Sequence, residues 1–253
     1  MPPSSREHDI VIYGATGFVG KLTALYLAES APAGTKIALA GRSQEKLERT
    51  RSELPASAAD WPLIVADSSD PEAMASMAAS ARAIATTVGP YYKYGFPLVE
   101  ACAEQGTHYA DLTGETLFMR ESIDRFHEAA KASGARIVHT CGFDSIPSDI
   151  GTMMCHLHAA ETGAGELTKT TLVVRKMRGG VSGGTVDSLR GQLDAAKADK
   201  SLRKVMVDPY ALSPDRAADP DGKDERDPMG PINDPELGGW LAPFVMGLSL
   251  IHI

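Results

Sequence analysis

The feature that most constrains the fold is a short apolar run ending in three closely spaced glycines, HDIVIYGATGFVG at residues 8–20. Ile10–Tyr13 is β-branched or aromatic, which predicts a strand buried on both faces. Apolar residues then recur at helical spacing, so Gly14, Gly17 and Gly20 are predicted to lie in a strand-to-helix turn. There they allow a tight turn, close approach of a pyrophosphate and packing of the helix on the strand. The pattern predicts dinucleotide binding, with an ordinary tight turn as the alternative.

A strand-helix alternation continues to residue 146. Helix N-caps are predicted at Ser43 and Asp70, and helix ends at Gly106 and Gly134. The alternation predicts an α/β fold with a Rossmann-type doubly wound parallel sheet and right-handed crossovers. The further predicted strands are Lys36–Ala40, Pro62–Ala66, Ala83–Val88, His108–Leu112 and Arg136–Cys141.

The pattern changes after Pro147. Helices are predicted over 147–158 and 184–198 and a strand over 168–177, and no period is found from 205 to 239. We therefore predict a Rossmann domain over 1–146 and the start of a second domain over 147–253. Because the chain stops on an apolar run just after a new element begins, the second domain is expected to be truncated; a normal amphipathic end is the alternative.

Composition argues against several classes of protein. The formal net charge is −8, and the basic residues form no patch, so a nucleic-acid partner has little support. The three cysteines form no CxxC pair, which favours a reducing compartment, and the cytoplasm is expected. No apolar run approaches the roughly 20 residues that span a bilayer, and peripheral membrane association stays open.

The histidines do not predict a metal site. His156 and His158 are two positions apart, so on a helix they point to different faces. His139 lies inside an apolar strand and is predicted to be a core histidine with its hydrogen bonds satisfied, in preference to a catalytic base. No metal is therefore expected.

The residue after the second strand selects the dinucleotide. An acidic residue there would bind a free 2′-hydroxyl, but this chain has Arg42, followed by Ser43 and, one helical turn on, Lys46. The planar guanidinium of Arg42 can stack on adenine and pair with a 2′-phosphate, and Ser43 can donate a hydrogen bond. These residues predict NADP(H); a solvated arginine at a helix start is the alternative.

The remaining candidate cofactor residues follow other strands. Asp67 could bond the adenine edge or cap the next helix, and both readings stay open. Val88, Gly89 and Pro90 are predicted to pass beneath the ribose and pyrophosphate, where ligands lie in open α/β sheets. The predicted cofactor site consists of Gly14, Thr16, Gly17, Phe18, Val19, Arg42, Ser43, Lys46, Asp67, Val88, Gly89, Pro90 and Gly142.

Three clusters are candidates for the proton donor that a nicotinamide enzyme needs. Tyr91 and Tyr94 lie near the expected nicotinamide end, with solvated turn aromatics as the alternative. Asp111 and Glu115 follow the fifth strand, where a helix cap is the more common use of Glu115. Asp144, after the sixth strand, could orient the substrate. The predicted catalytic residues are Tyr91, Tyr94 and Asp144.

Taken together, GATGFVG, LAGRSQEKL, TTVGPYYKYG, HYADLTGE and HTCGFDSIPSDIG make the chain resemble the saccharopine dehydrogenase-like oxidoreductases, and within them the mycobacterial-type trans-acting enoyl reductases. The resemblance covers Asp9–Leu189, and CGFDSIPSD is its most specific part. It implies an NADP-binding Rossmann domain followed by a second α/β domain that carries a mixed sheet and much of the substrate surface. Family members are longer than this chain, which also implies truncation.

The resemblance implies an NADP-dependent oxidoreductase that reduces a carbon–carbon double bond of a lipid or polyketide-type substrate. The expected partner is a small molecule, lipid-like or carrier-bound. A fold hosts many chemistries, so two alternatives stay open: a non-catalytic NADP(H) sensor and a saccharopine-type C–N dehydrogenase. The oligomeric state is open, with a homodimer as one option.

Overall fold

A six-stranded parallel sheet with the order β3-β2-β1-β4-β5-β6 forms the centre of the molecule. The structure is a computed structural model that describes residues 6–167, 170–176, 183–208, 210–214 and 230–242. The strands are β1 (His8–Tyr13), β2 (Ile37–Gly41), β3 (Leu63–Val65), β4 (Ala81–Thr86), β5 (His108–Ala110) and β6 (Ile137–Val138). The predicted doubly wound α/β fold is confirmed, and each of the six strands predicted up to residue 146 is present with bounds that differ by a few residues.

Helices follow the strands and cover the sheet. They are α1 (Phe18–Ser30), α2 (Gln44–Ser52), α3 (Pro71–Ser80), α4 (Tyr91–Tyr94), α5 (Phe96–Gln105) and α6 (Thr116–Ser133). Successive residues of a strand point to opposite faces, and β1 shows this division. Ile12 belongs to a core with Leu39 and Leu47, whereas Val11 and Tyr13 belong to the core on the other face.

The predicted helix ends are confirmed by their hydrogen bonds and dihedral angles. The Ser43 hydroxyl accepts the backbone N–H of Lys46 at 3.4 Å. The Asp70 carboxylate accepts two backbone N–H groups at the start of α3. Gly106 and Gly134 end α5 and α6 in the left-handed conformation, with φ of 68° and 80°. Local side-chain and glycine signals thus set these boundaries.

Three further helices follow the sheet: α7 (Ile146–Thr162), α8 (Gly183–Ala198) and α9 (Lys200–Val207). The predictions of α7 and α8 are confirmed, and α9 was not predicted. The strand predicted over 168–177 is wrong where it can be checked, because residues 170–176 have no regular structure. Its alternating Leu172 and Val174 are exposed, and among the described residues no neighbouring strand bonds this backbone.

A short antiparallel hairpin lies in the stretch where no period was found. It pairs β7 (Ile232–Asp234) with β8 (Gly239–Leu241). Strands of three residues are too short to show an alternating pattern, so sequence periodicity missed them. Of the predicted mixed sheet, the described residues contain this two-stranded pair. Residues 215–229 and 243–253 lie outside the described part of the chain. None of the described helices has the length and apolar character needed to cross a bilayer.

Helix α1 packs through its small residues. Gly20 and Ala24 are buried, whereas Phe18, Leu22 and Tyr26 are exposed although they recur at helical spacing. A Cβ atom on Gly20 would overlap the carbonyl oxygen of Gly14 and come within 2.9 Å of the Cα of Ala15. The glycine therefore lets the start of α1 lie directly on the turn that follows β1.

We expect Gly20→Ala to lower the free energy of unfolding by about 3 kcal/mol, because the added methyl group must push α1 off the turn. Urea denaturation measures the change. Gly191→Ala is the matched control: Gly191 lies in α8 with open space around it, so alanine there should raise stability by roughly 0.5–1 kcal/mol. Equal effects at the two glycines would contradict this packing role.

Candidate functional site

The turn after β1 lies against the end of β4. Gly14 has a φ of +88°, and its N–H donates to the carbonyl of Ala40 at 2.9 Å. A Cβ on Gly14 would come within 2.6 Å of Thr87 Oγ1, so both its conformation and its surroundings require glycine. The N–H of Gly17 donates back to the Gly14 carbonyl at 2.9 Å, which closes the turn.

The N-terminus of α1 is open to an anion. Gly17 is its N-cap, no side chain caps it, and its first turn carries no acidic residue. A Cβ on Gly17 would meet only the Gly14 oxygen, at 3.4 Å, so protein packing does not explain this glycine. The positive end of a helix with free space beside it is a good binding place for a phosphate. The predicted residues Gly14, Thr16, Gly17, Phe18 and Val19 all lie here.

A second group of predicted residues follows β2. Arg42 comes directly after the strand and is exposed, as is Lys46 in the first turn of α2. The Ser43 oxygen caps α2, but its hydroxyl hydrogen stays available as a donor. Two cationic side chains and a hydroxyl at one helix start form a site that suits a phosphate monoester.

Asp67 does not cap the helix after β3. Its carboxylate accepts the N–H and hydroxyl of Ser69 at 2.9 and 2.7 Å, and Asp70 caps α3 instead. These hydrogen bonds, followed by the charge of Arg42, lower the pKa of Asp67. The capping alternative is therefore wrong, and Asp67 stays an exposed carboxylate near Arg42, where a bond to adenine remains a prediction.

The turn after β4 contains Val88, Gly89 and Pro90 and leads directly into α4. The N–H of Val88 donates to Thr86 Oγ1 at 3.2 Å, and Gly89 is exposed. Because all six strands are parallel, the residues after β1, β2, β3, β4 and β6 meet at one edge of the sheet. The structure thus brings the predicted cofactor residues together along this carboxyl edge.

Tyr91, a predicted catalytic residue, belongs to the core. Its side chain is buried, its hydroxyl donates to the carbonyl of Thr86 at 3.2 Å, and its ring centroid lies 5.8 Å from that of Phe118. Burial, with the nearby charge of Asp111, raises the pKa of Tyr91 far above its ordinary value. This placement corrects both readings of Tyr91, because the phenol is neither a solvated turn aromatic nor an accessible proton donor.

The other two predicted catalytic residues keep accessible positions. Tyr94 is partly exposed, and the Lys93 ammonium lies 4.9 Å from its ring centroid. Asp144 is half-buried, and burial raises the pKa of its carboxyl. A Cβ on Gly142 would lie 2.7 Å from Asp144 Oδ1, so the predicted cofactor residue Gly142 sits directly against this carboxyl.

Glu115 caps a helix, but not the one that it precedes. It is the N-cap residue of α6, yet its side chain makes no bond to that helix. Instead its two carboxylate oxygens accept the backbone N–H groups of Tyr91 and Tyr92, at 2.7 and 2.9 Å. The prediction of a capping role is right in kind, but the capped helix is α4, 23 or more residues earlier in the chain.

Asp111 is a fully buried carboxylate that holds the segment after β6. Its carboxylate accepts hydrogen bonds from the Tyr109 hydroxyl (2.9 Å) and from the N–H groups of Thr113 (3.0 Å) and Thr140 (3.1 Å), and it pairs with His139 Nδ1 (2.7 Å). Its own carbonyl accepts the N–H of Cys141.

Thr140 has a φ of 60°, a conformation that a β-branched residue rarely adopts. Asp111 thus holds in place the backbone that leads to Gly142 and Asp144. Sequence reasoning had singled out Asp111 only as a candidate acid.

His139 is a core histidine with both ring nitrogens bonded, as predicted. Nδ1 pairs with Asp111, and Nε2 lies 3.0 Å from the Ser122 hydroxyl beside a cavity of about 270 Å³. The order Ser122–His139–Asp111 is that of a hydrolase triad. Ser122, however, is inside α6, whose backbone N–H groups are committed to the helix, so this helix offers no oxyanion-stabilising N–H donor beside the hydroxyl. We read the cluster as structural.

The described residues contain no group of three or more His, Cys, Asp or Glu side chains that could hold a metal ion. His156 and His158, on α7, are both exposed.

Comparison with known proteins agrees with this geometry. Residues 10–138 match the family model described as the saccharopine dehydrogenase NADP-binding domain. A Mycobacterium tuberculosis protein provisionally named a trans-acting enoyl reductase is 52% identical over 257 residues, covering 97% of this chain and 59% of that protein. The trans-acting enoyl reductase of Mycobacterium bovis is 50% identical over 250 residues, covering 97% of this chain and 60% of that protein.

The chain therefore spans about three fifths of the length of the curated relatives that it matches. Among solved structures, apo saccharopine dehydrogenase (L-Glu forming) from Saccharomyces cerevisiae matches with a TM-score of 0.46 and 14% identity. That match covers 62% of this chain and 32% of the yeast protein.

We expect Asp111→Ala to lower the free energy of unfolding by about 3–5 kcal/mol, because it leaves His139 and the backbone N–H groups of Thr113 and Thr140 without their acceptor. Urea denaturation measures the loss. Asp124→Ala, which breaks an exposed pair with Arg120 on α6, is the control and should cost less than about 1 kcal/mol. A loss at Asp111 no larger than the control would contradict the holding role.

Proposed function

This chain belongs to the family of saccharopine dehydrogenase NADP-binding domains, and from that membership we propose that the protein is an NADP-dependent oxidoreductase that reduces a carbon–carbon double bond. NADP(H) is the cofactor of this family. The names of the relatives that are 50–52% identical supply the class of reaction, enoyl reduction. The observation that carries the proposal is the exposed Arg42 at the same sheet edge as the uncapped N-terminus of α1.

In this proposal the cofactor lies along the carboxyl edge of the sheet. The start of α1, from Gly14 to Val19, binds the pyrophosphate through backbone N–H groups. Arg42, Ser43 and Lys46 bind the 2′-phosphate, and Asp67 faces the adenine. The turn Val88–Pro90 passes beneath the ribose and pyrophosphate of the nicotinamide half, and the backbone at Gly142 closes over the nicotinamide. Residues 1–146 form the cofactor domain, and the chain from 147 onwards contributes to the substrate side.

The chemistry follows from the class of substrate. NADPH supplies a hydride, which adds to the β-carbon of a double bond conjugated to a carbonyl group, and a proton adds to the α-carbon. Asp144 fits the proton donor best, because burial raises the pKa of its carboxyl while the side chain stays partly accessible. Tyr94, beside the Lys93 ammonium, is the second candidate.

The substrate in this proposal is an unsaturated acyl chain of lipid or polyketide type, presented as a small molecule or on a carrier. Working on such chains would place the protein at times beside a membrane surface. A homodimer is one arrangement that is compatible with the proposal. The site described above consists of residues from one chain.

We expect Arg42→Ala to weaken NADPH binding by about 10- to 100-fold and NADH binding by less than about twofold, because only NADPH has the 2′-phosphate that Arg42 would pair with. Fluorescence titration of the two dinucleotides measures both constants. Arg49→Ala removes a cation of α2, the helix that follows Arg42; Arg49 pairs with Glu53, and its loss should leave both affinities unchanged. Equal losses of NADPH and NADH would refute the placement of the 2′-phosphate.

We expect the protein to oxidise NADPH in the presence of an α,β-unsaturated acyl thioester, and Asp144→Asn to lower kcat by about 100-fold or more with NADPH affinity kept. Absorbance at the reduced-nicotinamide band measures the rate, and the saturated thioester is the blank. Binding of NADPH without turnover of any enoyl acceptor would overturn the enzyme in favour of a binding protein. Full activity of Asp144→Asn would show that Asp144 is not the proton donor and would favour Tyr94.

A further inference from the structure

The Glu115 carboxylate connects three segments that are far apart in the sequence. Besides the N–H groups of Tyr91 and Tyr92, it accepts the hydroxyl of Ser188 on α8, 2.6 Å from Oε1. Glu115 is 1% exposed. Within the described part of the chain, no Lys, Arg or His lies within ion-pair distance of it. Its bonds go to two backbone groups and one hydroxyl.

Burial of the Glu115 carboxylate costs free energy unless all of its hydrogen bonds are formed. A buried carboxylate without a cation relies on N–H and O–H donors to offset its loss of hydration. Two of the three donors belong to the first residues of α4, directly after Pro90. The carboxylate thereby sets where the turn Val88–Pro90 lies relative to β5. The third donor, the Ser188 hydroxyl, connects α8 to the same carboxylate.

Two observations favour a function beyond stabilisation. The bonded backbone continues the turn that flanks the proposed nicotinamide half, whereas the proposed adenosine half lies at the ends of β2 and β3. In addition, Ser188 belongs to the part of the chain after the sheet, which the proposal assigns to the substrate side. Glu115 is thus placed between the substrate side and the nicotinamide side of the site.

We propose that Glu115 is a positioning residue for the nicotinamide half of the cofactor. In this proposal the Ser188 hydroxyl is the contact through which α8 helps to hold the Glu115 carboxylate in place. The role is indirect, because Glu115 acts through the backbone of Tyr91 and Tyr92. It rests on the proposed function, since it presupposes that NADP(H) occupies the carboxyl edge. A displacement of α8 would then reach the nicotinamide through this buried carboxylate, in addition to the direct packing of α8 on α4.

The test compares two ligands that share the adenosine half. NADPH has both halves, and adenosine 2′,5′-bisphosphate has only the half that Arg42 binds. We expect Glu115→Gln to weaken NADPH about tenfold, since a neutral amide holds the two N–H groups less well, and to leave the bisphosphate within about twofold. Titration calorimetry on the 253-residue chain measures both. Glu104→Gln, an exposed glutamate of α5, is the matched control and should change neither.

Ser188→Ala provides the second variant, which decides the question if Glu115→Gln does not fold. It should weaken NADPH about threefold, as expected for one lost hydrogen bond, and leave the bisphosphate unchanged. In the Glu115→Gln background the same change should have less effect, because the shared acceptor is already impaired. Full additivity of the two changes would show that Ser188 acts elsewhere and would overturn its part of the proposal.

The outcomes separate this role from the proposed function. A wild-type chain that binds neither ligand overturns the cofactor site and the positioning role together. A wild-type chain that binds both, with a Glu115→Gln variant that loses both equally or neither, overturns only the positioning role. If Glu115 had only a structural role, Glu115→Gln would lower the unfolding temperature and weaken the binding of both ligands to the same degree.

Discussion

Two buried carboxylates in the loop between β5 and α6 hold the edge of the sheet where the cofactor is proposed to bind. Asp111 bonds the backbone after β6, and Glu115 bonds the backbone after β4. Burial of a carboxylate is costly, and at both positions backbone N–H donors offset that cost. The dependence is mutual, because the two loops need these acceptors to keep their shape. The loop after β5 therefore organises its neighbours on both sides, while the glycine turn after β1 is supported separately, by the close approach of Gly14 to Thr87 and of Gly20 to Gly14.

The contacts of the later helices bear on how the chain is divided. Ser188 of α8 bonds Glu115, and Arg120 of α6 donates to the carbonyl of Ala211 at 3.2 Å. Four of the described residues after 146 are buried, namely Ser148, Gln192, Ala196 and Ala211. This segment thus joins the parallel-sheet domain through polar contacts and through Leu212, which packs against the core of the sheet, and it has no large apolar core of its own among the described residues. A boundary at 146 separates two patterns in the sequence, but the helices beyond it are part of the surroundings of the cofactor edge.

How much could be predicted from the sequence depended on the range of the interactions. Caps such as Ser43 and Asp70, and the helix end at Gly106, involve residues within a few positions of one another, so their elements were predicted nearly to the residue. The bonds of Glu115 span 24 residues to Tyr91 and 73 to Ser188, and no local signal reveals them. The alternation in 170–176 was misleading for the converse reason, since alternation describes a half-buried strand but does not supply the partner strand that it needs.

Burial also separates the predicted proton donors, because it raises the pKa of both the Tyr91 phenol and the Asp144 carboxyl but with opposite consequences for proton donation near neutral pH. For Tyr91, burial raises a pKa that is already high and directs the hydroxyl to the Thr86 carbonyl, so the group neither gives up nor receives a proton near neutral pH. For Asp144, the same loss of hydration moves a low pKa towards the range where a carboxyl can hold and release its proton. Because Gly142 lacks a side chain that would press on Asp144, this carboxyl keeps its place at the edge that Asp111 holds. The best candidates for the proton donor are thus side chains that are partly desolvated and still accessible. The cluster of tyrosines in the sequence does not show which of its members meet this condition.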